Sequence, residues 1–434
     1  MISRRILLQS AGAGAAYLAP ASVITSAAAT PGPASGSNAL KPGFLPAEAR
    51  TLLEIAEQTY KGTPTLSYAG NSCDGPDVPA PGGEWTLRKD LTPTRPTLLD
   101  NYWQVWQHKN APKQYVIAVR GTVATASSVL ADLLVPLINA RFDVTINGLK
   151  LPLCRFARAE GQSAVKAGVH SGFALSLLLM LLTTDKPLIA TLLKLQLEAG
   201  SQVFITGHSQ GASIATLLTS LVGRAAPMFQ GPSYKTYVFA PAKPGNDHYA
   251  YDYAQLGGVS GYAWAVASTQ DWVPQAPLTI EWFQDINTPN PLRHFGDALD
   301  AQLMTGLAVD TGGQTLAVSE ALNSLKQSYR LRLNRRVEKL SSQLAGEAIN
   351  LKMSDLGAAS SASVTGSMIG DILKQILDQI QDSLNYADAG APVPLLAVPG
   401  GNPKDGTGGC QAFDYFWQHH LGNYYKYLNE QYPV

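Results

Sequence analysis

Gln202-Val203-Phe204-Ile205-Thr206-Gly207-His208-Ser209-Gln210-Gly211 runs from a short apolar segment into a serine held between two glycines, and a helical-looking stretch, 212–222, follows. A serine at the junction of a buried strand and a helix is the layout of a nucleophile elbow. The turn strains the serine and lifts its hydroxyl over the end of the sheet. Side chains two positions to either side would collide with backbone, so those positions are glycine. Glycine is common here, 39 in 434 residues, so the pentapeptide alone is a weak signal. The strand before it and the helix after it give it weight.

Composition narrows the function classes. A chain of 434 residues that is 45% hydrophobic can bury a large core. Its 32 Lys+Arg balance 32 Asp+Glu, so no overall field recruits nucleic acid or an anionic surface. The local run Arg330-Leu331-Arg332-Leu333-Asn334-Arg335-Arg336 reads as the solvated face of a helix. Three cysteines give no metal-ligand spacing and allow one bridge at most. Cys73 and Cys410, both in Gly/Pro-rich loops, are the candidate pair, and Cys154 lies in an apolar run that reads as core. No metal or organic cofactor is implied.

The first residues carry a second signal. Arg4-Arg5 stand before an apolar stretch reaching Ile24, and Ser26-Ala27-Ala28-Ala29 suits a cleavage site. This resembles a twin-arginine export signal over 1–29. The expectation is an exported protein, periplasmic or secreted, with a Pro/Gly/Ser-rich tail over 30–44. No later run reaches the roughly 18 apolar residues of a spanning helix, so no transmembrane anchor is expected in the mature chain.

Residues 45–434 read as one α/β domain. Pro46 suits the first position of a helix over 46–60. Strand candidates are 102–107, 115–119, 237–240 and 262–267, with 142–151 a hairpin turning at Asn147-Gly148. Helical patterns between them predict a mostly parallel central sheet flanked by helices. A helical insertion is expected over about 300–390. Leu322, Leu325, Tyr329, Leu333 and Val337 keep helical spacing, and so do Met368, Ile369, Ile372, Leu373, Ile376, Leu377, Ile380 and Leu384. Gly/Ser-rich 357–367 joins the two helices. Their apolar stripe suits either a pair packed on itself and the sheet, or a movable cap over a lipid-facing site.

If Ser209 is a nucleophile, it needs a base, an orienting acid and oxyanion donors. In this type of sheet the order is serine, acid, histidine. That leaves His294, His419 and His420 as bases. Asp271, just past the strand candidate 262–267, is the acid candidate, since the carboxyl ends of parallel strands form the catalytic edge.

Several separated blocks carry a family likeness: Val119-Arg120-Gly121-Thr122 with Asp132-Leu133, Val169-His170-Ser171-Gly172-Phe173, the elbow, Phe239-Ala240-Pro241 to Gly245-Asn246, and Asp271-Trp272-Val273-Pro274. In order and approximate spacing they resemble the class 3 lipases, the α/β-hydrolases that include secreted fungal triacylglycerol lipases. The resemblance implies an α/β-hydrolase fold with the insertion lying between the triad acid and the histidine. It implies Ser209 as nucleophile, Asp271 as acid, and an oxyanion hole from Thr122 and the Gln210 N–H. His170 is implied to be structural, and His208 to pack near the sheet within the elbow formed with Gly207 and Gly211. The family's base lies near the C-terminus with an aromatic soon after. His419-His420-Leu421-Gly422-Asn423-Tyr424 fits, with His419 favoured by spacing and His420 the alternative. His294 sits in a Pro/Arg-containing loop without that context.

The chain departs from the family at Gln210, where leucine is usual, at Pro241-Ala242-Lys243-Pro244-Gly245, and in the length of the insertion. The implied function is an exported serine hydrolase of carboxylic esters, a lipase or esterase on acylglycerols, with a lipid or other ester substrate met at a lipid–water interface. A phospholipase or acyltransferase on the same triad is the alternative, as is a non-catalytic hydrolase-fold protein that binds a lipid or a partner.

Overall fold

The computed structural model of the protein describes residues 40–61, 77–121, 136–158, 167–225, 228–229, 231–280, 318–398 and 416–434. Thr122, Cys73, Cys410, His294, Asp132-Leu133 and the N-terminal signal lie outside them. Within the described residues the strands are β1 (Trp85–Leu87), β2 (Trp103–His108), β3 (Gln114–Val119), β4 (Leu137–Asn139), β5 (Arg141–Ile146), β6 (Leu149–Arg155), β7 (Gly168–His170), β8 (Gln202–His208), β9 (Ser233–Phe239), β10 (Ala263–Ser268) and β11 (Ala391–Leu395). The helices are α1 (Pro46–Gln58), α2 (Ser171–Leu182), α3 (Leu188–Leu197), α4 (Gln210–Arg224), α5 (Asp247–Tyr253), α6 (Val318–Leu344), α7 (Gly366–Gln375) and α8 (Leu421–Gln431).

The apolar residues of β8 are buried because the strand lies mid-sheet, with β3 on one side and β9 on the other. Seven strands run in the order β1-β2-β3-β8-β9-β10-β11. β3, β8, β9, β10 and β11 are parallel, whereas β2 pairs antiparallel with both β1 and β3. The register sets Val119 beside Gly207, His208 beside Phe239, and Val266 beside Phe239. The carboxyl ends of four strands are therefore level, and their following loops share one edge.

Alternation along the strands divides the core in two. Tyr115, Ile117 and Val119 face α2, α3 and α4, whereas Val116 and Ala118 pack with Leu52 and Leu53 of α1 and Leu428 of α8. Every residue of α2 is buried, as an all-round apolar helix requires. This is the α/β-hydrolase architecture.

Asn147 (φ 47°) and Gly148 (φ 80°) take the left-handed conformations of a tight hairpin turn between β5 and β6. Cys154 is a free thiol buried on β6, and burial pushes its pKa up. In α6 Tyr329, Leu333, Val337, Leu340 and Leu344 are buried, while Arg330, Arg332 and Arg335 are exposed. Ile369, Ile372 and Leu373 of α7 share that core cluster. Gly370 permits the close approach, since a Cβ there would lie 3.1 Å from the Ser341 Cβ. Gln375 exchanges two hydrogen bonds with the Thr145 backbone, both 2.8 Å, fastening α7 to the hairpin.

One expectation needs correction. The second amphipathic helix does not reach Leu384: α7 ends at Gln375, a 3₁₀ turn follows, and the chain then runs beside other segments. Ile380 bridges Ile138, and Leu384 bridges Ile280, so both sit in extended pairing rather than on a helix. The last strand of the sheet, β11, carries Pro392 and Pro394, and proline is compatible with a terminal strand.

Candidate active site

Ser209 joins β8 to α4 with φ 59° and ψ −133°, a conformation that costs a non-glycine residue about 1–3 kcal/mol. Its N–H donates to the Phe239 carbonyl at 3.0 Å, tying the turn to the neighbouring strand. The flanking glycines are required by contact. A Cβ on Gly207 would lie 2.5 Å from the Gly211 carbonyl oxygen, and one on Gly211 would lie 2.5 Å from the Arg120 carbonyl carbon. Gln210 opens the 15-residue α4, so its N–H belongs to the positively polarised first turn of that helix.

The end of β3 closes on the same turn. A Cβ on Gly121 would stand 2.9 Å from that of Ser209 and 2.6 Å from the His208 carbonyl oxygen. Arg120, 2% exposed, holds this end with two 2.9 Å hydrogen bonds to Asp100 and lies over the Tyr102 ring. Thr122 follows directly in sequence, outside the described residues.

Asp271 sits past the end of β10 with no side-chain exposure. Its Oδ2 accepts from His419 Nδ1 at 2.7 Å and from the Tyr424 hydroxyl at 2.7 Å, and Oδ1 accepts from the Val273 N–H at 3.0 Å. The Tyr424 oxygen in turn accepts from the Ser268 N–H. Burial, with the Asp271 carboxylate beside it, pushes the Tyr424 phenol well above its usual pKa. A carboxylate can only accept, so Nδ1 carries the His419 proton and Nε2 carries the lone pair. That Nε2 is buried and has no hydrogen-bond partner among the described residues.

Of the two adjacent histidines, the structure brings His419 to Asp271. His420 precedes α8, half-buried, with its ring edge-on to Trp417. His170 accepts from the Phe173 N–H at 3.3 Å, capping α2, and stacks on the Phe173 ring. His208 is bound on both nitrogens, to Tyr60 at 2.9 Å and to the His419 carbonyl at 2.8 Å. Burial, then the nearness of His419, holds its pKa well below the ordinary histidine value. Sequence reasoning placed His208 near the sheet but missed Tyr60, which has no motif around it. Among the described residues no group of three or more His, Cys, Asp or Glu is arranged to hold a metal ion.

Residues 116–281 match the model of the family described as lipase (class 3). Over this segment the chain is similar to the class 3 lipases. The match supports a carboxylic ester hydrolase of the lipase type. Solved structures similar to it include the M37 lipase, 15% identical, covering 86% of this chain and 90% of that one with a TM-score of 0.44. Lipase II from Rhizopus niveus is 19% identical, covering 54% and 75% with a TM-score of 0.35. Lip2 lipase from Yarrowia lipolytica is 16% identical, covering 55% and 76% with a TM-score of 0.39. No curated protein matches the chain.

The matched lipase segment holds the elbow and Asp271 but stops well before His419. The two lie 148 residues apart in sequence. The pairing of acid and histidine therefore rests on the fold. No helix among the described residues is long and apolar enough to cross a membrane.

Proposed function

We propose that the protein is an exported lipase or esterase that cleaves acylglycerol esters through Ser209, His419 and Asp271. The observation that carries this reading is the 2.7 Å Asp271–His419 hydrogen bond, which leaves His419 Nε2 as a buried acceptor. As Ser209 Oγ attacks the ester carbonyl carbon, its proton passes to Nε2, and Asp271 stabilises the imidazolium. The carbonyl oxygen becomes an oxyanion, taken up by the N–H groups of Gln210 and Thr122. Losing one such donor costs about 2.7–4 kcal/mol of barrier. Collapse breaks the carbon–oxygen bond, and His419 returns the proton to the departing alcohol. Water then gives a proton to His419 and attacks the acyl-enzyme, releasing the acid and restoring Ser209.

The substrate class is supported by the family, and export by the twin arginines and small residues of 1–29. The test uses aryl esters of increasing acyl length and an emulsified triacylglycerol, with fluorophosphonate labelling located by mass spectrometry. Wild-type protein should turn over these esters and be labelled at Ser209, and Ser209→Ala should do neither. A wild-type protein that is neither active nor labelled overturns the assignment. Export is tested by sequencing the N-terminus of protein recovered outside the cytoplasm, which should begin near Thr30; uncleaved chain confined to the cytoplasm would refute it.

A further inference from the structure

Four segments distant in sequence meet beside Ser209: Tyr60 beyond the end of α1, Gly121 beyond β3, His208 in the elbow, and His419 before α8. The Gly121 N–H donates to the Tyr60 oxygen at 3.0 Å. Tyr60 and His208 Nδ1 are 2.9 Å apart, and His208 Nε2 lies 2.8 Å from the His419 carbonyl oxygen. The partners fix the direction of every bond. A carbonyl oxygen only accepts, so Nε2 of His208 carries a proton. In a neutral imidazole the other nitrogen then accepts, so the Tyr60 hydroxyl donates to Nδ1. The backbone N–H of Gly121 completes the chain on the Tyr60 oxygen.

We infer that Tyr60 and His208 are positioning residues for the base: their one-directional chain of hydrogen bonds locks the His419 backbone to the elbow and to the strand end that leads into Thr122. This rests on the reading of His419 as the base. Asp271 fixes the ring of His419 from Nδ1, but a ring on an unfastened backbone could still tilt away from Ser209. His208 supplies that fastening from the residue adjacent to the nucleophile. The base and the nucleophile are thus held to one frame, with the oxyanion side tied in through Gly121. A neutral His208 also suits its place, because its ring centre is 4.5 Å from that of His419, where the imidazolium forms.

Tyr60→Phe removes one oxygen and keeps the ring. It should lower kcat about tenfold with KM unchanged, as a displaced base does, while the thermal midpoint moves by less than about 4 °C. At position 208 the glutamine amide nitrogen can stand in for Nε2, whereas asparagine is too short to reach the His419 carbonyl. His208→Gln should therefore keep a higher kcat than His208→Asn, a ranking that simple space-filling does not require. Nitrogen-15 spectra of the wild-type protein at pH 7 should show His208 as the neutral tautomer protonated on Nε2. A Tyr60→Phe enzyme with wild-type kcat, or a His208 protonated on Nδ1 alone, overturns the positioning role while leaving the triad intact. A wild-type protein without turnover and without Ser209 labelling overturns the base assignment, and this role with it.

Discussion

Asp271 shows how much one side chain is asked to do. Its two oxygens take three donors, from His419, Tyr424 and the Val273 backbone. Asp271→Asn can present an amide N–H to His419, turning the imidazole so that Nε2 holds the proton and cannot receive one. Turnover should fall by about 10⁴-fold with KM little changed, measured by steady-state kinetics on a soluble aryl ester. Tyr424→Phe also strips the buried Ser268 N–H of its acceptor. It should cost about 1–3 kcal/mol in urea denaturation. His208 gives a pH prediction. Its folded pKa is depressed from 6.5, so below pH 6.5 the unfolded chain gains a proton that the folded chain refuses. Stability is thus lost as pH falls, by at most about 1.4 kcal/mol per pH unit until the folded pKa is reached. Urea midpoints at pH 7.5, 6 and 5 should fall more steeply for wild type than for His208→Gln; equal slopes would contradict it. Ser209 and Asp271 were legible because each sits in a short motif beside a strand. Tyr60 was not, because a tyrosine past the end of a helix has no local pattern that marks its partner 148 positions away.

At the scale of elements, helical spacing recorded which residues are apolar and not what they pack against. Ile369, Ile372 and Leu373 sit on a helix; Ile380 and Leu384 continue the same spacing after the helix has ended. The Gln381 N–H donates to the Leu137 carbonyl, so a pairing with β4 takes over from the helical ladder. β11 was hidden for a different reason, since two prolines in five residues argue against a strand unless the sheet stops there. The β5–β6 hairpin was legible because Asn-Gly sets its own turn. In α6, the buried stripe is occupied by packing against α7. Leu333→Ala should therefore destabilise the protein by about 2–5 kcal/mol, with kcat and KM of the folded enzyme unchanged. Faster turnover without loss of stability would instead mark the helix as a cap.

Across the whole molecule, the sheet separates two apolar cores, and the smaller one is closed by an ion pair. The Lys235 side chain has no solvent exposure and bonds Glu48 at 2.6 Å and the Lys41 carbonyl at 2.6 Å, joining β9 to α1 and the segment before it. Lys235→Ala leaves Glu48 facing a void, with Tyr237 as its remaining side-chain donor among the described residues. The cost should approach about 3 kcal/mol, the low end for a broken buried pair because Glu48 keeps some exposure. A urea midpoint equal to wild type would show the pair to be dispensable. Strand β11 has a consequence at this scale as well. The Leu395 carbonyl accepts from Thr269, on the β10 side, so the alternate positions Pro392 and Pro394 turn their backbone the other way. Neither has an N–H to offer, and their rings occupy the space a visiting strand would need. A second copy of the chain, or a half-unfolded neighbour, finds no ladder to extend on that side. The protein should accordingly resist edge-to-edge fibre growth when concentrated, a protection written into two imino acids that do nothing for catalysis.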